Sequence, residues 1–420
     1  MFRLANLVLA VLLLSGPAAS AATVAVKFGK LWDGHRTIPN AVVVIDNDKI
    51  QSVTANGRIP AGAQTIDLSR YSGLPGLIDA HTHMTFYWDR SNGAATPLRQ
   101  PPRHVAVTVF LAQENAKKTL EAGVTTVRDL NGFDGADLAL RDLINRGAIV
   151  GPRMFVSGAG IRSTAYRRPG VTDPVAEAVT LTKSLLASGV DWIKIYASTG
   201  IADDLTGAQT VSYDEMKAII DTAHAAGRKV AVHSYGPAAA KDAIRAGADT
   251  LEHATDMDDA TIAELVAKKT WYIPTINHNQ HYLDHADDVY KFTPEAKASF
   301  RDFIQRNVAT AQKAYRAGAR ILPGSDAVYT AFGTNMQELG WFVKIGMTPE
   351  QALQSATILP AQMLGMENSL GAVTPGYIAD LVAVDGDPLA DISVITNNVR
   401  WVMKSGAVVV DKTGAPSRAR

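Results

Sequence analysis

Eight short apolar segments, each followed by a stretch of helical character, constrain what this chain can fold into more than any other feature. They are Leu74 to Ala80, Val124 to Arg128, Arg153 to Ser157, Trp192 to Tyr196, Lys229 to His233, Thr250 to His253, Trp271 to Pro274 and Arg320 to Leu322. Buried runs of this length read as parallel strands, and parallel strands need helical crossovers. Glycine just past a helix marks several of the crossovers, as in Glu121-Ala122-Gly123-Val124 and Ala246-Gly247-Ala248, where it closes the helix in the left-handed conformation. Helix starts are legible too. Ser212-Tyr213-Asp214-Glu215 is a capping box, and Thr348-Pro349-Glu350 sets a cap before a first-turn proline. The alternation predicts an α/β fold, a (β/α)8 TIM barrel over residues 73–359. A doubly wound open sheet is the competing arrangement, but it does not explain polar residues ending strands from the first to the last.

Those polar residues are His81, His83, Lys194, His233, His253 and Asp326, each at or just past the C-terminal end of one of the strand segments. Parallel strands of a barrel deliver such residues to one mouth. Side chains alternate along an extended segment, so His81 and His83 point the same way, as two imidazoles must to share one cation. With no cysteine in the chain, thiolate metal sites, a cysteine nucleophile and a disulfide framework are all excluded.

Residues 22–72 and 360–420 have a different texture, with short strands broken by turns. Val24-Ala25-Val26-Lys27-Phe28, Ala41-Val42-Val43-Val44-Ile45 and Lys49-Ile50-Gln51-Ser52-Val53 precede the barrel; Ala379 to Val384 and Val399 to Met403 follow it. Neither end has enough strands to be stable alone. They are expected to combine into a β-sandwich flanking the barrel, its strands antiparallel. Ahead of them, Arg3, the apolar run Leu4 to Leu14 and Ala19-Ser20-Ala21 read as a secretory signal over residues 1–21. A periplasmic or secreted protein without stable membrane insertion is therefore expected. Formal charge is zero over 420 residues, so nothing draws the chain to nucleic acid.

The chain resembles the amidohydrolase superfamily, and most closely its imidazolonepropionase-like and prolidase-like branch, which includes Xaa-Pro dipeptidases, carboxypeptidases and ochratoxin amidase-like enzymes. The likeness is carried by Gly73-Leu74-Pro75-Gly76-Leu77-Ile78-Asp79-Ala80-His81-Thr82-His83, by Gly123 to Asp129, by Asp191-Trp192-Ile193-Lys194-Ile195-Tyr196, by Val230-Ala231-Val232-His233, by Leu251-Glu252-His253, by Gly324-Ser325-Asp326-Ala327 and by Gly371 to Val382. The resemblance implies that His81, His83 and Asp326 hold one divalent ion and that His233 and His253 hold a second, zinc or a similar ion. Lys194, carbamylated by carbon dioxide, would bridge them. Burial can leave a lysine neutral enough for that reaction. Catalysis would then use metal-activated hydroxide, with Asp326 as general base and Tyr235 donating to the developing oxyanion.

One departure stands in the loop Gly160 to Gly170. Relatives carry Thr-Gly-Gly-His-Gly near here with a substrate-contacting histidine, and this loop has no histidine. Arg167 and Arg168 are the candidates to grip a substrate carboxylate instead. His278, His281 and His285 read as a solvated face, and the stretch Phe332-Gly333-Thr334-Asn335 is expected to line the pocket. The expected reaction is hydrolysis of the amide of a dipeptide or N-acyl amino acid by a homo-oligomer acting on small molecules. Cyclic amide hydrolysis, mycotoxin amide hydrolysis and a non-catalytic scaffold of the same fold remain as alternatives.

Overall fold

The computed structural model describes residues 23–90, 95–200 and 204–414. The signal segment expected at residues 1–21 lies outside them, and among the described residues no helix is long and apolar enough to cross a membrane.

Both chain ends enter one eight-stranded sheet. From one edge it runs Ala407–Asp411, Val399–Lys404, Leu381–Val384, Gln64–Pro75, Val24–Trp32, Ala41–Asp46 and Lys49–Ala55, with Thr37–Pro39 paired to Val24–Trp32. Val26, Phe28, Leu31, Val43, Ile45, Trp401 and Met403 are buried together in its core, so neither end buries its apolar face without the other. One pairing departs from the antiparallel expectation. Val24–Trp32 and Gln64–Pro75 run parallel, because Ala41–Asp46 and Lys49–Ala55 return as a hairpin before the chain comes back along the other side of the first strand. Two hairpin tips of this sheet nearly touch. At Gly406, with φ of 78°, an added Cβ would stand 2.0 Å from the Asn47 carbonyl oxygen.

Gly76 is the pivot between this sheet and the inner strands. The alternation in sequence predicts one strand from Leu74 to Ala80; the structure ends the outer strand at Pro75 and begins an inner one at Leu77–Thr82. A Cβ on Gly76 would meet Thr125 Oγ1 at 2.2 Å, so only glycine lets the two sheets approach here.

Inside, parallel strands alternate with helices. Leu77–Thr82, Val124–Asp129 and Arg153–Val156 form one sheet; Ile161–Arg162, Trp192–Tyr196, Lys229–Ser234, Thr250–His253 and Trp271–Ile273 form another. The eighth segment, Arg320 to Leu322, makes no regular ladder, and Pro323, which has no N–H to give, follows it directly. It nevertheless joins the sheets on one side. Tyr272 N donates to Arg320 O at 2.9 Å, Ala80 N to Pro323 O at 3.0 Å and Asp326 N to His81 O at 2.8 Å. On the other side Asp191 N donates to Val156 O at 2.8 Å. Ala80, Leu130, Trp192, Ala231, Trp271, Ile273 and Leu322, on or next to these segments, belong to one buried cluster. Helices Val105–Glu121, Tyr213–Ala225 and Pro294–Arg316 belong to the outer layer, and both legible helix starts form capping boxes, Ser212 with Glu215 and Thr348 with Gln351.

Candidate metal centre

His81, His83, Lys194, His233, His253 and Asp326 line one cavity of about 280 Å³. Alternation along the first inner strand and the residue just past it sends His81 and His83 to the same side, with ring centroids 5.2 Å apart. Asp326 Oδ1 lies 2.9 Å from His83 Nε2 and 3.4 Å from His81 Nε2. The donor atoms of these three residues fall within 4.8 Å of one another. Burial by itself would raise the Asp326 carboxyl, but His278, His81 and His83 outweigh it and hold the group well below the usual carboxylate range. It is therefore an anion facing imidazoles.

A buried chain of charge orients the first histidine. His81 Nδ1 lies 2.8 Å from Glu252 Oε2, and Arg128 donates to Glu252 Oε1 at 2.9 Å and to the Ala80 carbonyl at 2.6 Å. Burial would raise Glu252, yet Arg128 and His81 hold it at about 2. Glu252 thus accepts the Nδ1 proton and aims His81 Nε2 into the cavity, the usual outer support of a metal-binding imidazole. Burial first, and then Lys194, lower His81 to about 4, so the ring is neutral and its free nitrogen is a base. Arg128→Met is expected to destabilise the fold by about 3–5 kcal/mol, since it strands the Glu252 carboxylate in the interior. Thermal unfolding checks it: Arg128→Met combined with Glu252→Gln should be milder, and equal midpoints for wild type and Arg128→Met would refute the role.

Asp79 supports the same strand end from behind. Its Oδ1 accepts the His81 and Ser325 amides at 3.1 and 3.0 Å, and Asn335 donates to its Oδ2 at 3.0 Å. Asn335, expected in the pocket lining, is instead buried against Asp79, because this carboxylate needs a donor more than the cavity needs an amide.

The remaining members present unpaired atoms. Lys194 Nζ and His233 Nε2 are buried without a hydrogen-bond partner, as are His81 Nε2 and His83 Nδ1. Each buried unsatisfied polar group costs about 1–3 kcal/mol, so four such atoms on residues that line one cavity call for a ligand. Divalent cations fit: the donors are imidazoles, a carboxylate and a lysine that burial lowers to about 8 against the opposing pull of Glu252 and Asp326. His253 is held by Thr275, Nδ1 to Oγ1 at 2.7 Å. The backbone at His253, Thr275 and Asp326 is left-handed, with φ of 71°, 50° and 47°. Such conformations cost roughly 1–3 kcal/mol each and collect at functional sites.

Tyr235 stacks on His233, ring centroids 5.0 Å apart and planes 18° from parallel. Burial pushes its phenol up, so it stands in the cavity as a hydrogen-bond donor. Arg167 and Arg168 do not line the cavity. Arg167 forks onto Glu215, with Nε donating at 2.8 Å, and Arg168 reaches Glu177 at 2.5 Å; carboxylates on the neighbouring helices satisfy both guanidinium groups. The arginine in the cavity wall is Arg162.

The histidine triplet also differs from the solvated face expected of it. His278 is buried in the cavity wall with Nε2 3.3 Å from Asp326 Oδ2. His281 is buried against Thr330 at 3.0 Å, and His285 reaches Asp288 outside. Helical spacing places these residues on one face, but only the docking of the helix Ile276–Asp284 turns that face inward. Glu252 had a sequence signal, an acidic residue in the middle of a buried strand, which calls for a partner such as Arg128.

Residues 73–409 match the model of the amidohydrolase family. Ochratoxinase of Aspergillus niger is 29% identical over 394 residues, covering 84% of this chain and 79% of that protein. Imidazolonepropionase of Streptomyces avermitilis is 25% identical over 373 residues, 83% of this chain and 81% of that protein. Among solved structures, a Xaa-Pro dipeptidase with bound methionine in the active site superposes with a TM-score of 0.81 at 30% identity, covering 92% of this chain and 99% of that one.

Proposed function

This chain belongs to the amidohydrolase family and is a hydrolase of carbon–nitrogen bonds, and from that premise we propose that it cleaves the amide of a dipeptide or N-acyl amino acid at a two-metal centre on a closed eight-stranded barrel. The observation that carries the reading is the single cavity in which His81, His83, Lys194, His233, His253 and Asp326 meet, four of whose lining residues carry a buried nitrogen without a partner. His81, His83 and Asp326 would hold one ion, His233 and His253 the other, and Lys194 as its carbamate would join them. For that, neutral Lys194 adds through Nζ to the carbon of carbon dioxide and gives up a proton, leaving a carboxylate-like anion. Divalent ions there would supply Lewis-acid activation of water and of the scissile carbonyl.

The protein's own groups do the rest. Asp326, an anion between His83 and His278, takes the proton of the attacking water and returns it to the leaving nitrogen. Tyr235 gives its hydroxyl hydrogen bond to the oxygen on which charge develops. Glu252 keeps the His81 ring from turning. Partial screening by Phe86, Tyr196 and Tyr329, which line the cavity, strengthens each of these electrostatic contacts.

Purified protein loaded with zinc, cobalt or manganese and screened against dipeptides, N-acyl amino acids and lactams tests the reading. Cleavage of the linear amides in proportion to bound metal is expected. Faster opening of lactam rings, or no cleavage by metal-replete protein, would overturn it. Export belongs to the same proposal, and the mature N-terminus of secreted material is expected near residue 22.

A further inference from the structure

We infer that the substrate is recognised at both ends, a free carboxylate by Arg162 and a bulky apolar acyl group in a second cavity that opens off the first. This rests on the amide-hydrolase reading above and specifies which molecules satisfy it.

Arg162 ends the short strand Ile161–Arg162, which pairs with Trp192–Tyr196 so that Arg162 lies opposite Tyr196. Its guanidinium carbon sits 3.4 Å from the centroid of the Tyr196 ring. That contact anchors the guanidinium against the ring, and the donors it leaves free suit a planar acceptor. Arg167 and Arg168 each meet a glutamate. Arg162 has no carboxylate partner among the described residues, although it lines the cavity beside Lys194 and His233. A carboxylate from outside the protein fits that fork.

The second cavity, about 470 Å³, shares Phe86, Leu98 and Tyr329 with the first and is walled further by Tyr87, Pro97 and Phe133. Its aromatic wall is packed: Phe86 lies 5.1 Å from Phe133 and 5.8 Å from Tyr329, centroid to centroid. Arg103 braces the rim by donating to Asp89 at 2.9 Å and to the Tyr87 carbonyl at 2.7 Å. Leu98 and Phe133 nevertheless remain 38% and 53% exposed, and exposed apolar side chains gathered at a concave surface mark a place for apolar ligand. His83 touches Phe86, centroids 4.9 Å apart, so this cavity opens from the side of the first and eighth inner segments. Arg162 stands beside the fourth. A scissile amide placed among His81, His83 and Asp326 therefore has a cation toward one side and an apolar chamber toward the other.

Four ketomethylene analogues, in which carbon replaces the scissile nitrogen, separate the two ends: naphthylacyl or acetyl at one, carboxylate or carboxamide at the other. Calorimetric titration of metal-loaded protein should show the naphthylacyl carboxylate binding tightest. Exchange of carboxylate for carboxamide should weaken it about tenfold or more, and exchange of naphthylacyl for acetyl about tenfold or more. Arg162→Gln and Arg162→Lys should each shrink the carboxylate preference but not the naphthyl preference; Leu98→Glu should do the reverse. Absence of either preference in the wild type overturns the inference, as does a carboxylate preference that survives both Arg162 variants. Hydrolysis of the matching amides, followed by chromatography, addresses the chemistry separately. Both binding preferences without cleavage support two-ended recognition and remove only the amide reading.

Discussion

Asp326→Asn is expected to lower kcat by about 10²–10⁴-fold, the usual contribution of a positioned proton-transfer group. The amide oxygen of asparagine can still face His83 and a cation but cannot take the proton of the attacking water. Asp326 is buried, with a carboxylate oxygen 2.9 Å from His83 and the other 3.3 Å from His278, so no second carboxylate of the cavity lining stands ready to replace it. Metal content, measured by elemental analysis on the same preparation, separates loss of the base from loss of the ion. Near-normal kcat in a metal-replete Asp326→Asn protein would assign proton transfer to another residue. A drop in kcat that tracks metal content alone would make Asp326 a ligand and nothing more.

Lys194→Ala carries the second large effect, loss of at least one metal equivalent and of activity together, with partial rescue by formate, acetate or propionate. The alanine leaves a space where a small carboxylate can stand for the carbamate. The site suits such an anion because Lys194 Nζ has no protein partner while burial drives its pKa down to about 8, leaving an appreciable neutral fraction near neutral pH. Carbon-13 bicarbonate should label the wild-type protein and not Lys194→Ala. An unlabelled, metal-replete and fully active wild type would sink the carbamate, and Lys194 would then be an ammonium in the cavity wall.

Both predictions concern residues that the amino-acid sequence alone makes legible, and the reason is local. A strand places every second side chain on one face, and parallel strands place their C-terminal ends together, so polar residues closing a series of apolar runs identify one another as neighbours. The helix caps at Ser212 and Thr348 are legible for the same reason, since cap and partner lie three residues apart. The resemblance of these phrases to the amidohydrolase superfamily implies the roles, and residues 73–409 match that family's model.

What the chain by itself determines, then, is a parallel α/β framework and the set of side chains that its strand ends present. Contacts across the fold decide the rest. Arg128 and Glu252 are 124 residues apart and meet at 2.9 Å, and neither residue's neighbours in sequence announce the other. Arg167 and Arg162 are both cations in one polar loop, but only the packing of Glu215 at the helix start draws Arg167 out of the cavity and leaves Arg162 within it. His278 turns inward because its helix docks beside Asp326. The parallel pairing of Val24–Trp32 with Gln64–Pro75 likewise follows from where the intervening hairpin lies. Backbone periodicity acts over a few residues and leaves a trace in any sequence. The pairing of buried charges and the choice of which arginine lines the cavity depend on which surfaces finally touch, and that is settled only when the chain has folded.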